Sequence, residues 1–177
     1  MARGPGAVAY IAASLDGFIA TAEGGVGWLD AFQDEDFGFE AFLGGITTLA
    51  MGRVTYDQVR GFGVWPYGTR RCHVVTSRPL EADAPVGVEA WAPEELPELA
   101  ARLAASEPPA WVVGGGRLIG TLLAAGSIRE LDLFVMPVLL GAGVPLFAGA
   151  HPAAALELVE TRSWPSGAVR LRYRVGR

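Results

Sequence analysis

Residues 110–126 read Ala-Trp-Val-Val-Gly-Gly-Gly-Arg-Leu-Ile-Gly-Thr-Leu-Leu-Ala-Ala-Gly, a short apolar strand pattern that runs through three glycines into a helix pattern. A strand that turns directly into a helix belongs to an α/β architecture, and glycines at the turn let another group approach the backbone closely. From about Arg117 the first N–H groups of the helix are unpaired donors at the positive end of its dipole, so Gly114, Gly115 and Gly116 predict a phosphate cradle. A tight strand-to-helix turn without a ligand explains the same residues, and the motif alone does not choose between them.

The rest of the chain repeats this alternation. Ala7–Ala13 is short, small and apolar, as a strand buried on both faces requires. Glu23–Gly27 is too rich in glycine for regular structure and reads as a mobile loop. Phe37, Phe39, Phe42, Leu43 and Ile46 fall near helical spacing, which predicts a short helix over Asp34–Gly45 with Asp34, Glu35 and Asp36 in its first turn. Thr47–Met51 predicts a strand that ends at Gly52-Arg53 before a helical pattern over Val54–Val59. Cys72–Thr76 and Gly87–Trp91 predict two more strands, and Pro93–Ser106 a helix with Leu96, Leu99 and Leu103 on one face. Leu131–Leu140, Leu156–Arg162 and Val169–Val175 follow as strands alone. Alternation followed by strands predicts a mixed, mostly parallel sheet with an antiparallel C-terminal edge.

With 177 residues, 51% of them hydrophobic, and no internal repeat or long linker, residues 1–177 read as one domain. The net charge of −5, with 14 basic against 19 acidic residues and no basic run, argues against a nucleic-acid partner. No stretch approaches the roughly 20 apolar residues of a membrane span. The single Cys72 and the absence of an apolar signal segment after Met1 predict a cytoplasmic setting. Two histidines, His73 in a strand and His151 in a loop, lack ligand spacing, so no metal is expected.

Two familiar nucleotide sites are excluded. Gly114-Gly115-Gly116 is followed by Gly120 one residue out of phase with a dinucleotide fingerprint, and Asp132 lies inside a strand pattern rather than at a strand end. No Gly-Lys-Ser/Thr occurs, which removes the P-loop.

Five ordered segments, Ile11–Ala20, Met51–Asp57, Val75–Arg78, Val112–Leu118 and Pro137–Phe147, together resemble the dihydrofolate reductase superfamily. The Ser-Leu-Asp-Gly-Phe-Ile-Ala opening and the Pro-Val-Leu-Leu-Gly-Ala-Gly-Val-Pro-Leu-Phe segment are similar to the riboflavin-biosynthesis reductase domain and its stand-alone relatives, more than to folate reductases. The deaminase that accompanies that reductase in bifunctional enzymes needs P-C-x-x-C, which one cysteine cannot form.

The resemblance implies a three-layer α/β fold, a central sheet of about eight mostly parallel strands with flanking helices, and NADPH bound across the strand ends. It places Gly52, Arg53 and Thr55 on phosphate oxygens, Thr76, Ser77 and Arg78 on the adenosine 2′-phosphate, and Gly114, Gly115, Gly116, Arg117 and Leu118 along the cofactor. Ala13, Ile19 and Ala20 would lie against the nicotinamide. Asp36 stands where folate reductases carry a substrate-facing carboxylate, though acidic residues in a first helical turn are also ordinary dipole partners. Trp65-Pro66 reads either as a pocket wall or as a buried tryptophan. NADPH is expected over NADH because two arginines follow strand ends and no acidic residue stands ready for a ribose 2′-hydroxyl. The implied activity is hydride transfer to a C=N or C=O of a small heterocyclic or ribosylated pyrimidine substrate. The alternatives are folate reduction and a non-catalytic NADPH-binding module. A homodimer is expected, with Leu131–Met136 near an edge that needs cover.

Overall fold

In the computed structural model, which describes residues 4–149, 151 and 153–176, eight strands form one sheet. The elements in order are β1 (Ala7–Ser14), β2 (Phe18–Ala20), α1 (Phe39–Gly44), β3 (Thr48–Gly52), α2 (Arg53–Gly61), β4 (Arg71–Val75), β5 (Val88–Trp91), α3 (Leu96–Ala104), β6 (Ala110–Gly114), α4 (Gly116–Ala124), β7 (Ile128–Met136), β8 (Val144–Pro145), β9 (Leu156–Ser163) and β10 (Val169–Val175). The large sheet runs β5-β4-β3-β6-β1-β7-β10-β9. Its strands are parallel from β5 to β7, and β10 is antiparallel to both neighbours. β2 and β8 pair in a separate two-stranded ribbon.

Small residues let β1 sit at the centre. Ala7, Ala9 and Ala13 face one core, shared with Leu99 and Leu103 of α3 and Leu118, Ile119 and Leu122 of α4. Val8 and Tyr10 face the other, shared with Leu43 of α1, Tyr56 and Val59 of α2, Met51, Trp111 and Phe134. Alternation along a strand sends successive side chains to opposite faces, so one strand serves both layers. Each fully buried Leu or Ile contributes about 1.5–3 kcal/mol relative to exposure.

The C-terminal part of the sheet carries charge inside. Asp132 is fully buried and accepts two hydrogen bonds from Arg170, at 2.6 and 2.7 Å, while Glu130 pairs with Arg172 at 2.9 Å. Glu160 lies 3.7 Å from Arg170 and 3.5 Å from Arg172, extending the pairs across β10 to β9.

The element boundaries correct several expectations. The helix expected over Asp34–Gly45 begins only at Phe39, because Gly38 before it takes a φ of +78° that no helix continues, and Asp34–Asp36 lie in the preceding turn. A 3₁₀ turn over Pro93–Glu95 precedes α3 in place of one continuous helix. Thr76 lies beyond β4, and β7 ends at Met136 because Pro137 donates no hydrogen bond. Residues 131–136 are not near an edge: β7 lies between β1 and β10, and the sheet edges are β5 and β9. The Glu23–Gly27 loop is tethered, with Gln58 Nε2 of α2 donating to the Gly24 carbonyl at 2.9 Å. Among the described residues no helix is long and apolar enough to cross a membrane, and no cluster of His, Cys, Asp and Glu is arranged to hold a metal ion.

Candidate active site

Two helices start side by side at the same end of the sheet. β3 passes into α2 at Gly52-Arg53 and β6 into α4 at Gly115-Gly116, with Met51 paired to Gly114. A Cβ built on Gly52 would lie 3.9 Å from the Gly115 nitrogen, so the two junctions touch backbone to backbone. Gly52 and Gly115 are both extended N-cap residues, and no side chain caps either helix. The first N–H groups of both helices are therefore left for an anionic ligand. Thr55 adds a hydroxyl: Oγ1 is 3.6 and 3.7 Å from where a Cβ would stand on Gly114 and Gly115. Two helix starts over a floor without side chains fit a diphosphate.

The three glycines have different tasks. Gly114 has a φ of +149°, which excludes other residues, whereas Gly115 is extended and open on the cradle side. Gly116 is buried; a Cβ there would stand 2.9 Å from the Leu146 carbonyl oxygen and closer still to that of Pro145. Its missing side chain lets α4 pack against the β8 segment. Leu118 is likewise in the core, and Arg117 is exposed on the first turn of α4.

The arginines are brought together, but not alone. Arg53 Nε donates to Asp57 at 2.7 Å and Nη1 to the Pro79 carbonyl at 2.9 Å, and its remaining nitrogen pairs with Glu81. Arg78 reaches the other oxygen of Asp57 at 3.3 Å and is 66% exposed. Two carboxylates thus stand among the two guanidinium groups, which corrects the expectation that no acidic residue is placed there. Glu81 comes from a loop 28 residues further along the chain, which sequence spacing does not reveal. Its own backbone N–H, and then Arg53, hold its carboxyl below the usual range. Thr76 is occupied locally, its hydroxyl donating to the Arg78 carbonyl and accepting from the Arg78 N–H, both at 3.0 Å. Ser77 is exposed beside it.

Next to the cradle, on the α1 side of β1, lies a cavity of about 370 Å³. Tyr10, Phe37, Tyr67, Trp111 and Phe134 form its aromatic wall, and Ala12 and Val113 its floor. Ile11 joins the two regions, since it lines the cavity and its Cδ1 lies 3.9 Å from a Cβ position on Gly114. Ala13 and Ala20 are buried on the opposite side of β1, with Ile19 packed against the same core. Trp65 does not line the cavity; it packs edge-on to Tyr56 and Tyr67 at 5.8 and 5.0 Å.

Asp36 stays outside. It is exposed, its carboxylate accepts from the Gly38 N–H at 2.7 Å, and its carbonyl accepts from Trp164 Nε1 at 3.0 Å. Its neighbour Phe37 is the part of this turn that reaches the wall.

Sequence reasoning gave no task to Asp16. Its carboxylate accepts from Ser14 Oγ at 2.6 Å and from the Leu140 and Gly141 N–H groups at 3.2 and 2.7 Å. It thereby ties the β1–β2 turn to the loop after β7. The Ser14 hydroxyl, with the two backbone donors, holds the Asp16 carboxyl below the usual range.

A family model described as the RibD C-terminal domain matches residues 51–169. Over 94% of its length the chain is 35% identical to YwjB of Bacillus subtilis (strain 168), an uncharacterized protein of which it covers 95%. A candidate riboflavin biosynthesis protein from Shewanella sp. PV-4 superposes over 97% of this chain and 99% of its own, with a TM-score of 0.81 and 27% identity. The deaminase/5-amino-6-(5-phosphoribosylamino)uracil reductase of Thermotoga maritima matches 97% of this chain at a TM-score of 0.70 and 13% identity. The present chain spans 57% of that protein, and the likeness is one of fold. The dihydrofolate reductase-like sheet and its flanking helices are thus as expected.

Proposed function

The chain belongs to the RibD C-terminal domain family, and from that premise we propose that it is an NADPH-dependent reductase of the pyrimidine-reductase kind. The observation that carries this reading is the pair of uncapped helix starts at Gly52 and Gly115, opening at the end of the sheet where the aromatic cavity lies. The α2 and α4 N–H groups and Thr55 would hold the diphosphate. Arg53 and Arg78 would hold the adenosine phosphate by exchanging Asp57 and Glu81 for it. Of Ala13, Ile19 and Ala20, only Ile19 keeps an exposed surface that a flat ring could meet, because Ala13 and Ala20 are buried.

When bound, the reduced nicotinamide supplies a hydride to the carbon of a substrate C=N or C=O. The chain's own contribution is to position the acceptor in the cavity, to exclude water with the aromatic wall, and to deliver a proton to the substrate nitrogen or oxygen. Asp36 lies outside the cavity, so a water between it and the substrate would have to carry the proton. Loss of reduced-nicotinamide absorbance on adding a ribosylated aminopyrimidine or dihydrofolate tests the activity. Asp36→Asn should lower turnover much more than NADPH affinity, and unchanged turnover removes Asp36 from the mechanism.

A cofactor-binding module without turnover is favoured by one observation: no Asp, Glu, His or Lys lines the cavity among the described residues. NADPH binding without oxidation by any substrate would support it. We further propose a homodimer through the β9 edge, where Leu156 and Leu158 are 44% and 52% exposed. A light-scattering mass of 18.6 kDa would contradict the dimer.

A further inference from the structure

The cavity beside β1 is unusual for the end of a sheet that is proposed to hold phosphates, because among the described residues no charged side chain lines it. Its lining side chains are aromatic or aliphatic apart from Gln33 and the tyrosine hydroxyls. Trp111 offers it only ring surface, since the indole N–H already donates to the Tyr10 carbonyl at 3.0 Å. Tyr10 in turn donates to the Phe37 carbonyl at 3.3 Å. Stacking and edge contacts against such a wall favour a flat ring system.

The segment along one side of the cavity carries only negative charge. The segment that supplies Leu29, Phe32, Gln33 and Phe37 also carries Asp30, Asp34, Glu35 and Asp36, and no Lys or Arg occurs anywhere from residue 4 to residue 52. Among the described residues two guanidinium groups touch wall residues from outside, and both are committed. Arg170 lies over the Phe134 ring at 5.7 Å but is held bidentately by Asp132. Arg70 donates to the Tyr67, Ile46 and Leu43 carbonyls. A phosphate or carboxylate placed here would lose water without gaining a cation, which is strongly unfavourable.

Resting on the reductase reading above, we propose that the substrate is an aromatic heterocycle that carries no anionic group. A phosphoribosyl pyrimidine and a glutamate-bearing pterin are both disfavoured by the same two features, an uncharged wall and an acidic segment beside it. The arginine cluster at Arg53 and Arg78 belongs to the neighbouring cradle and leaves the cavity without a counter-charge.

The test is calorimetric titration of the full chain, without cofactor, using two matched pairs: quinoxaline with quinoxaline-2-carboxylate, and uridine with uridine 5′-monophosphate. In each pair the neutral member should bind at least about tenfold more tightly. Ala12→Phe, which fills the floor, should abolish that binding. Gln33→Arg, at an exposed rim position where folding is not at risk, should raise the affinity for both anionic members about tenfold. Equal or tighter binding of an anionic member by the unaltered chain overturns the proposal, and so does failure of both neutral members to bind. NADPH is titrated separately. Loss of NADPH binding alone would refute the cofactor reading and leave the cavity assignment standing.

Discussion

Gly52 and Gly116 stand at corresponding junctions, and exchanging each for alanine separates packing from binding. Gly→Ala at a compatible position gains about 0.4–1 kcal/mol by restricting the unfolded chain, a benefit common to both variants. What differs is the space available. At Gly52 the new methyl meets only the Gly115 nitrogen at 3.9 Å and the Gly114 oxygen at 4.0 Å, ordinary contact distances. At Gly116 it would press on the carbonyls of Pro145 and Leu146, two backbone groups that cannot rotate away. Overpacking of this kind costs about 1–3 kcal/mol, and in a chain of this length each kcal/mol moves the melting temperature by about 2–4 °C. Gly116→Ala should therefore melt roughly 2–12 °C below Gly52→Ala in a thermal scan of the two proteins. Gly52→Ala should keep its stability but lose roughly tenfold or more in NADPH affinity, because its methyl intrudes where the diphosphate would meet the helix starts. Coincident melting curves would refute the packing argument. Wild-type NADPH affinity in Gly52→Ala would refute the cradle.

Arg170→Met leaves the fully buried Asp132 without its bidentate partner and should cost about 3–5 kcal/mol in urea denaturation, most of it recovered when Asp132→Leu is added; a loss below about 1 kcal/mol would contradict this. Burial pushes the Cys72 thiol up from an ordinary value of 9.0 to about 12, so the native protein should be silent to thiol reagents until it unfolds. Between those pH values the unfolded chain gives up a proton that the folded one keeps, so stability should fall as pH rises, and Cys72→Ala should flatten that part of the profile. Asp16→Ala removes the acceptor of the Leu140 and Gly141 N–H groups, and limited proteolysis should then cut the loop after β7 faster than in the wild type.

The sheet was legible because its signals are local. Ala7–Ala13 had to be a doubly buried strand, and Gly52 and Gly114–Gly116 had to mark strand-to-helix junctions. The turn around Asp36 misled because an acidic run before spaced phenylalanines imitates a helix start, and only the backbone of Gly38 shows where the helix begins. The task of Gly116 is set by Pro145 and Leu146, and the partners of Arg53 by a loop beyond β4; neither approach leaves a mark at the residue itself. The cavity was hidden for the same reason, since its wall is assembled from β1, β6, β7 and the turns around Phe32 and Phe37. Asp16 could have been found: a carboxylate in a Ser-x-Asp-Gly turn is a natural acceptor for backbone donors.

The alternation along β1 has a consequence for how the site can change. Ala12 belongs to the cavity and Ala13 to the opposite core, so a single peptide step carries the chain from one layer to the other. Substitutions at Ala12 can reshape one chamber without disturbing the other, and the two can drift separately. Insertion of one residue before Ala12 has no such privacy: every later side chain of the strand would swap layers, and the strand would be turned inside out rather than lengthened.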